Sequence, residues 1–335
     1  MGLRKSLKIV LLFDLSEPIP QERYADHWKD PDWRTESDVR NALARLGHQV
    51  IPLGLHDSLD PLLELLRKDK PDLVFNLSEA FRGDRDFEPH IVAALELLGV
   101  PVTGSGPMGL KLCKDKGLTK EILGYHRVRI PRFLTAKRGR PVASLRRFPF
   151  PAIIKPLRLE SSEGISQLSF VENEKDAAAR VKFIHERLGA DAIVEEYIDG
   201  RELYVSVLGN EKLAVLPARE IFFHEVPKDE PKMATFRAKW DEDYRKKWGI
   251  QNGFARALPP SVAERLEETC KKIYRLLRIR GYGRIDLRVK ENGEIYFIEA
   301  NPNPSIGRHE DFALSAGKAD LAYDDLIAKI VSLAT

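Results

Sequence analysis

Apolar and polar positions come in alternating blocks through the first 110 residues or so. "LKIVLLF" is a continuous apolar run of strand length. "TESDVRNALARLG" repeats with helical spacing, with Thr35 placed to cap it and Gly47 to stop it. "HQVIPL", "SLDPLLELLRK", "DLVFNL", "FEPHIVAALELLG" and "VPVTG" follow. Strands taking turns with helices of this length predict a parallel α/β sheet. A second region runs from "CKDKGLTKEIL" to "LGN" near residue 210. The third carries a long helix, "SVAERLEETCKKIYRLLRIRG", in which Ser261 and Glu264 are spaced as a capping box and Gly281 sits at the end, and a closing helix, "YDDLIAKIVSLA". Three domains are therefore expected, at 1–112, 113–210 and 211–335. Between 222 and 256 periodicity fades while charge and aromatic residues accumulate, the composition of a lid or binding loop.

The pattern is most informative in "GRIDLRVKENGEIYFIEAN", two alternating segments joined by Asn292-Gly293, a strong hairpin signal. With those two residues as the loop, Glu291 faces Glu294, and counting outward sets Leu287 against Ile298 and Ile285 against Ala300. That face is apolar throughout, which supports the register. The same count puts Asp286 opposite Glu299 and Arg284 opposite Asn301. Two carboxylates in one cross-strand pair repel unless positive charge sits between them. Carboxylate and amide oxygens on one surface suit a hard cation such as Mg²⁺. Pro302 and Pro304 then end the ladder. A solvated polar face balanced by neighbouring arginines is the competing reading.

Other stretches carry weaker signals. In "FPFPAIIKPLRLESSEGIS" a strand leads into Lys155 and a loop with Ser161, Ser162 and Gly164, able to bring an ammonium and backbone N–H groups onto phosphate oxygens. Glu160 and Glu163 count against that, and a surface loop is the alternative. In "AIVEEYIDGRELYVSVLG", backbone groups from Glu196 to Ile198 could read an adenine edge and Glu202 could hold ribose hydroxyls; an ordinary hairpin turning at Asp199-Gly200 fits the same letters. Lys114, Lys116 and Lys120 crowd a helix start, as a solvated face or a phosphate site would.

Composition narrows the field. The 335 residues are 43% hydrophobic, ample for real cores, and the net charge of +3 gives no footprint for nucleic acid. Cys113 and Cys270 are too few and too far apart for a disulfide framework or a zinc site, which fits a reducing, cytoplasmic setting. The apolar stretch Ile9 to Phe13 is shorter than a signal-peptide core, and no segment has the length of a membrane span. The match of "MGLRKS" to a myristoylation pattern rests on two positions and reads as chance.

Taken in order, "VFNLSEAFRGDRDFEPHIVAALELLGVPVTGSGPMGLKLCKDKGLTKEIL", "RIPRF", "PAIIKP", "SSEGIS", "VEEYIDGREL", "GRIDL" and "IEANPNPS" resemble the ATP-grasp ligases, and D-alanine–D-alanine ligase among them. The resemblance covers the chain from about residue 71 to its end. It implies an α/β ATP-grasp fold of three domains: an N-terminal parallel sheet, a central α+β ATP-clamp domain and a C-terminal α+β domain. ATP would lie between the sheets of the last two. By motif, Lys116 and Lys155 would contact its phosphates, with Ser161, Ser162 and Gly164 in the phosphate loop. Glu195, Glu196, Tyr197, Ile198 and Glu202 would form the adenosine hinge. Asp286, Glu299 and Asn301 would hold Mg²⁺, two ions in the family, with Mn²⁺ as a substitute. Lys239 would reach the γ-phosphate, and Arg284, with a backbone N–H near Ser305, would stabilise an oxyanion. The implied reaction joins a small-molecule carboxylate to an amine through an acyl phosphate. A homodimer is compatible with the resemblance, and neither nucleic acid nor membrane is an expected partner. An ATP-binding regulatory protein, or acyl phosphate transfer to a non-amine nucleophile, are the alternatives.

The resemblance thins on the amino-acid side. The family's Gly-Gly-x-Ser-x-Glu stretch has no counterpart in "FDLSEPIPQERYADHWKDPDWRTESD", where Glu17 and Glu36 are the available glutamates. "SEAFRGDRDFEP" stands where His-Gly-x-x-Gly-Glu-Asp-Gly is expected, and "GRHED" replaces Ser-His-Ser. Glu310 and Asp311 would repel an acceptor carboxylate, while Arg308 and His309 could read a different acceptor. A polyamine, another amine or a larger peptide would suit that arrangement.

Overall fold

In a computed structural model of the chain, residues 6–140, 145–159, 164–227 and 231–335 are described. Three sheets organise them. The first is parallel, with β1 (Lys8–Asp14) between β2 (Gln49–Leu55) and β3 (Leu73–Asn76). β1 reads as an unbroken apolar run because both its faces are covered. Ile9, Leu11 and Phe13 pack into a core with the helix Arg34–Arg45 and the closing helix Tyr323–Ala334, while Val10 and Leu12 pack against the helices Asp60–Lys68 and Glu88–Leu97. Gly47 ends its helix with a φ of 83°, as expected. Thr35 is not the cap: the helix begins at Arg34, and Trp33 precedes it without a side-chain cap bond.

The second sheet is antiparallel and ordered β4 (Phe133–Ala136), β7 (Ala192–Glu196), β5 (Ala152–Pro156), β6 (Phe170–Val171). Its far face is covered by the helix Glu174–Arg187. The third sheet, also antiparallel, runs β11 (Ile250–Phe254), β10 (Arg219–Phe223), β8 (Arg201–Leu208), β12 (Tyr282–Val289), β13 (Ile295–Asn301), with β9 (Ala214–Val215) on β8. β7 and β8 are thus not the two arms of a hairpin. They belong to different sheets, and residues 197–200 carry the chain across the gap. Gly200 makes that crossing with a φ of 154°, and a Cβ there would lie 2.5 Å from the Val289 carbonyl oxygen.

The helix Pro260–Leu276 covers the third sheet with Val262, Leu266, Cys270 and Ile273. Pro259 and Pro260 set its start, since proline is preorganised for a first turn whose N–H groups are free anyway. Ser261 therefore falls inside the turn and makes no cap bond, which corrects the expected capping box. Arg278, with a φ of 58°, takes the left-handed position after the helix rather than Gly281.

The hairpin of β12 and β13 places Asp286 opposite Glu299 and Arg284 opposite Asn301, by a route the sequence did not suggest. The loop has three residues, Glu291 to Gly293, closed by the Lys290 N–H donating to the Glu294 carbonyl at 2.9 Å, with Gly293 at a φ of 81°. This shifts the register by one and sets Leu287 against Phe297, not Ile298. A bulge at Ile298 shifts it back before the acidic pair.

Candidate active site

A cleft lies between the second and third sheets, and strand alternation decides what faces it. On β5 and β7 the residues Ile153, Lys155 and Glu195 look into the cleft, while Ile154 and Val194 join the core beneath the helix. On β8 and β12 the cleft face carries Glu202, Asp286 and Arg288, with Leu203, Val205, Ile285 and Leu287 turned to the opposite core. Pro131, Ile165, Met233, Ala234 and the bulged Ile298 supply apolar walls, and Lys239 enters from the short helix Phe236–Trp240.

Glu195 is the buried electrostatic centre. It is 2% exposed and pairs with Lys155 and Lys120, each at 2.8 Å. Burial alone would raise its pKa, but the two ammonium groups outweigh it and hold the carboxyl down at about 2. Lys120 is wholly buried, which lowers its pKa against the pull of Glu195, and it also donates to the Ile298 carbonyl at 2.8 Å. Lys155 is buried too, yet Glu195 keeps it above the usual lysine range.

The acidic pair is answered by cations of the chain itself. The Arg284 guanidinium grips Asp286 with two hydrogen bonds of 2.8 and 3.0 Å, and the Asn301 amide donates to the same carboxylate at 3.2 Å. Burial still pushes the Asp286 pKa up despite Arg284, with Glu299 adding to the rise. Glu299 lies 3.6 Å from Lys116. Burial opposes ionisation there also, but Lys116, Lys239, Lys155 and Lys120 together lower its pKa. The solvated face weighed from sequence does not describe Asp286, which is 4% exposed.

The remaining expected residues fall as follows. Lys116 donates to the Leu159 carbonyl at 2.6 Å beside the cleft. The N–H groups of Glu196 and Tyr197 are engaged by the Arg132 and Pro151 carbonyls, and the Ile198 carbonyl accepts from Arg288. Glu202 is clamped by Arg288 at 2.6 Å, which lowers its pKa against the burial that would raise it. Ser161 and Ser162 lie outside the described residues; the Gly164 carbonyl accepts from Arg180. Arg308 is tied into the fold by Asp38 and Asp324, and Asp311 by Arg219 at 2.9 Å. Sequence reasoning missed Arg288, although Arg284, Asp286 and Arg288 at period two already placed three charges on one face.

A divalent cation fits this donor set. Five carboxylates line the cleft, from Glu195, Glu196, Glu202, Asp286 and Glu299, against three cations, Lys155, Lys239 and Arg288. A polyanion entering such a surface needs added positive charge. Asp286, Glu299 and Asn301 share the edge where that charge would sit. Among the described residues no three or more His, Cys, Asp and Glu side chains are placed to hold a metal ion by themselves, so the protein alone does not form a closed metal cage.

The family model described as the D-Ala D-Ala ligase C-terminus matches residues 112–332, more than half of the chain. The chain belongs to the D-Ala–D-Ala ligase family. It is thus an ATP-grasp carbon–nitrogen ligase. It is 31% identical over 332 aligned residues to a protein of Sinorhizobium fredii named only as uncharacterised, covering 95% of this chain and 91% of that one. It is 29% identical to D-alanine–D-alanine ligase of Aquifex aeolicus, over 89% and 94% of the two chains. Among solved structures, the D-alanine–D-alanine ligase of Bacillus anthracis complexed with ATP matches at a TM-score of 0.73 and 20% identity, covering 98% and 97%. The VanG D-Ala:D-Ser ligase of Enterococcus faecalis matches at 0.72 and 20%, covering 99% and 100%. These likenesses bear out the ATP-grasp fold expected of the family. Among the described residues no helix is long and apolar enough to cross a membrane.

Proposed function

We propose that this protein uses ATP and Mg²⁺ to activate a small-molecule carboxylate as an acyl phosphate and passes the acyl group to an amine. The observation that carries the proposal is the convergence, from two sheets onto one cleft, of Lys155 and Glu195 on one side and Asp286, Glu299 and Asn301 on the other. The cleft encloses about 60 Å³, well below the ~300 Å³ at which small-molecule pockets begin, so nucleotide entry would part the two sheets.

The purine would lie against Ile153, Met233 and Ile298, and Glu202, fixed by Arg288, would offer its outer oxygen to the ribose. Lys155 and Lys116 would bind phosphate oxygens, with Lys155 held in place by Glu195 rather than left to find its rotamer. Mg²⁺, bound by Asp286, Glu299 and Asn301, would supply neutralisation of the polyphosphate charge. The donor carboxylate oxygen then forms a bond to the γ-phosphorus while the bond to the β-bridging oxygen breaks, and ADP leaves with that electron pair. Lys239 faces the charge built up in this step. The amine nitrogen next attacks the acyl carbon to give a tetrahedral oxyanion, which collapses as the C–O bond to phosphate breaks; phosphate leaves with that electron pair and takes the proton the nitrogen loses. Arg284 holds Asp286 with Nε and one Nη2 hydrogen, which leaves Nη1 to meet the oxyanion.

ADP release under Mg·ATP with pooled amino acids and amines checks the reading. Lys155→Met should cut turnover by at least about a hundredfold, the scale of losing a group aimed at transition-state charge. Turnover unchanged in a folded Lys155→Met variant would remove the nucleotide assignment.

A further inference from the structure

Arg288 does more than neutralise Glu202. The two residues face each other across β12 and β8, and Arg288 is buried. Besides its two bonds to Glu202 Oε2, at 2.6 and 3.2 Å, the guanidinium donates to the Ile198 carbonyl at 3.0 Å and to the Lys232 carbonyl at 2.6 Å. These bonds use four of its five N–H groups. It also lies over the Tyr197 ring, 5.3 Å from the centroid, and the Phe170 ring of β6 meets that same ring edge-on at 5.1 Å. Tyr197 is thereby fixed from both sheets, and its hydroxyl accepts from the Lys232 N–H at 3.2 Å. Both backbone groups of Lys232 are held, the N–H by the crossing between the sheets and the carbonyl by β12. An ion pair with Glu202 needs only one side of the planar fork; the other N–H groups are spent on backbone from two further segments.

Lys232 opens the stretch that leads to Lys239. Met233 and Ala234 wall the cleft, and the Thr235 hydroxyl caps the helix Phe236–Trp240 by accepting from the Ala238 N–H at 3.2 Å. Ala238 is wholly buried with Tyr204, Ile221 and Ile250, and Lys239 follows it into the cleft. The helix has a second tie on the side of the second sheet, where the Phe236 N–H donates to the Ile165 carbonyl at 3.1 Å. Lys239 draws Glu202, Asp286 and Glu299 toward ionisation, so its ammonium lies among the acids of both ends of the cleft. Seven positions separate it from Lys232. A displacement at Lys232 therefore travels along a capped, buried path to Lys239, because a packed interior transmits a shift instead of absorbing it. We propose that Arg288 and Tyr197 are positioning residues: by fixing Lys232 they set where Lys239 meets the terminal phosphate of ATP, and so favour ATP over ADP without touching a phosphate themselves. This rests on the ligase reading, which puts Lys239 at the γ-phosphate and Glu202 at the ribose.

Calorimetry with Mg²⁺, and with neither donor nor acceptor present, tests it on three nucleotides: ATP, ADP, which lacks the γ-phosphate, and 2′,3′-dideoxy-ATP, which lacks both ribose hydroxyls. Tyr197→Phe removes the hydroxyl that holds the Lys232 N–H and keeps the ring beneath Arg288. It should reduce the preference for ATP over ADP at least about threefold, the scale of one lost hydrogen bond, while the preference for ATP over the dideoxy nucleotide stays within about twofold. Arg288→Lys keeps a positive charge for Glu202 but not the planar fork, and should lower the ATP-over-ADP preference by at least as much. Lys239→Met should abolish that preference, and adding Tyr197→Phe to it should change the ratio by less than about twofold, since the two act through one group. A general structural role would weaken all three nucleotides alike, and that outcome, or an additive double variant, overturns the positioning role. A ratio altered in Lys239→Met but unmoved in Tyr197→Phe and Arg288→Lys overturns it also, and leaves the ligase reading standing. An unaltered ratio in Lys239→Met removes Lys239 from the γ-phosphate, and the positioning role falls with that part of the reading.

Discussion

At the scale of single residues, the charged groups of this chain fall into two kinds. Glu195, Glu202, Asp286 and Glu299 have cations of the chain beside them, whereas Glu36 is buried near the carboxylates Asp14 and Glu79, and a backbone N–H offsets that burial only in part. Its folded pKa of about 7 lies above the ordinary value of 4.5 that it has in the unfolded chain. Between these values the folded protein keeps a proton that the unfolded chain has lost, so stability falls as pH rises through that window and levels off above it. Glu36→Gln removes the titration. Urea melts at pH 5 and pH 8 should show the variant gaining on the natural protein by on the order of 2 kcal/mol across that interval. Parallel pH profiles for the two proteins would show that Glu36 is not held in this way. The acidic pair teaches a related lesson. Its repulsion was legible from alternation alone, but the cations that answer it, Lys116 and Arg284, could be assigned only once Lys116, 183 positions from Glu299, was brought alongside.

At the scale of elements, the strands and helices were legible wherever burial imposed a period. β1, the helix Arg34–Arg45 and the closing helix follow their apolar patterns closely. The β12–β13 hairpin shows what a pattern leaves out. A three-residue loop and a one-residue bulge cancel, so the pairs on the cleft face could be read while the turn could not. The bulge also turns the Ile298 carbonyl onto Lys120, a contact with no trace in local sequence. The crossing from β7 to β8 was ambiguous for the same reason: Asp199-Gly200 fits a hairpin, and only the sheet each strand joins excludes it. The glycine there is demanded by Val289, whose carbonyl oxygen leaves 2.5 Å for a Cβ. Gly200→Ala must move either the crossing or β12. It should lower the unfolding free energy by about 2–3 kcal/mol and weaken nucleotide binding together with it. A variant as stable as the natural protein, with unchanged affinity, would show that the crossing has slack.

At the scale of the whole molecule, the two ends of the chain share one core. Ile9, Leu11 and Phe13 of β1 pack with Leu326, Ile327, Ile330 and Val331 of the closing helix, and Tyr282 at the start of β12 joins the same cluster. The core beneath the second sheet is separate, built from Ile154, Val181, Ile184 and Val194. Sequence could show that each segment had an apolar face but not which faces would meet, because nothing local relates residue 11 to residue 327. The shared core underlies β1 and the loop after β13, which between them carry Asp14, Asn303 and Ser305. Ile327 is wholly buried, so Ile327→Ala should cost about 2–5 kcal/mol through lost burial and the cavity left behind. Because the cores are distinct, the loss should be uneven. Amide hydrogen exchange should quicken in β1 and in the helix Arg34–Arg45 while β5 and β7 keep their protection. Uniform quickening across all three sheets would mean that the molecule opens as one cooperative unit, with the core beneath the second sheet coupled to the one the chain's two ends share.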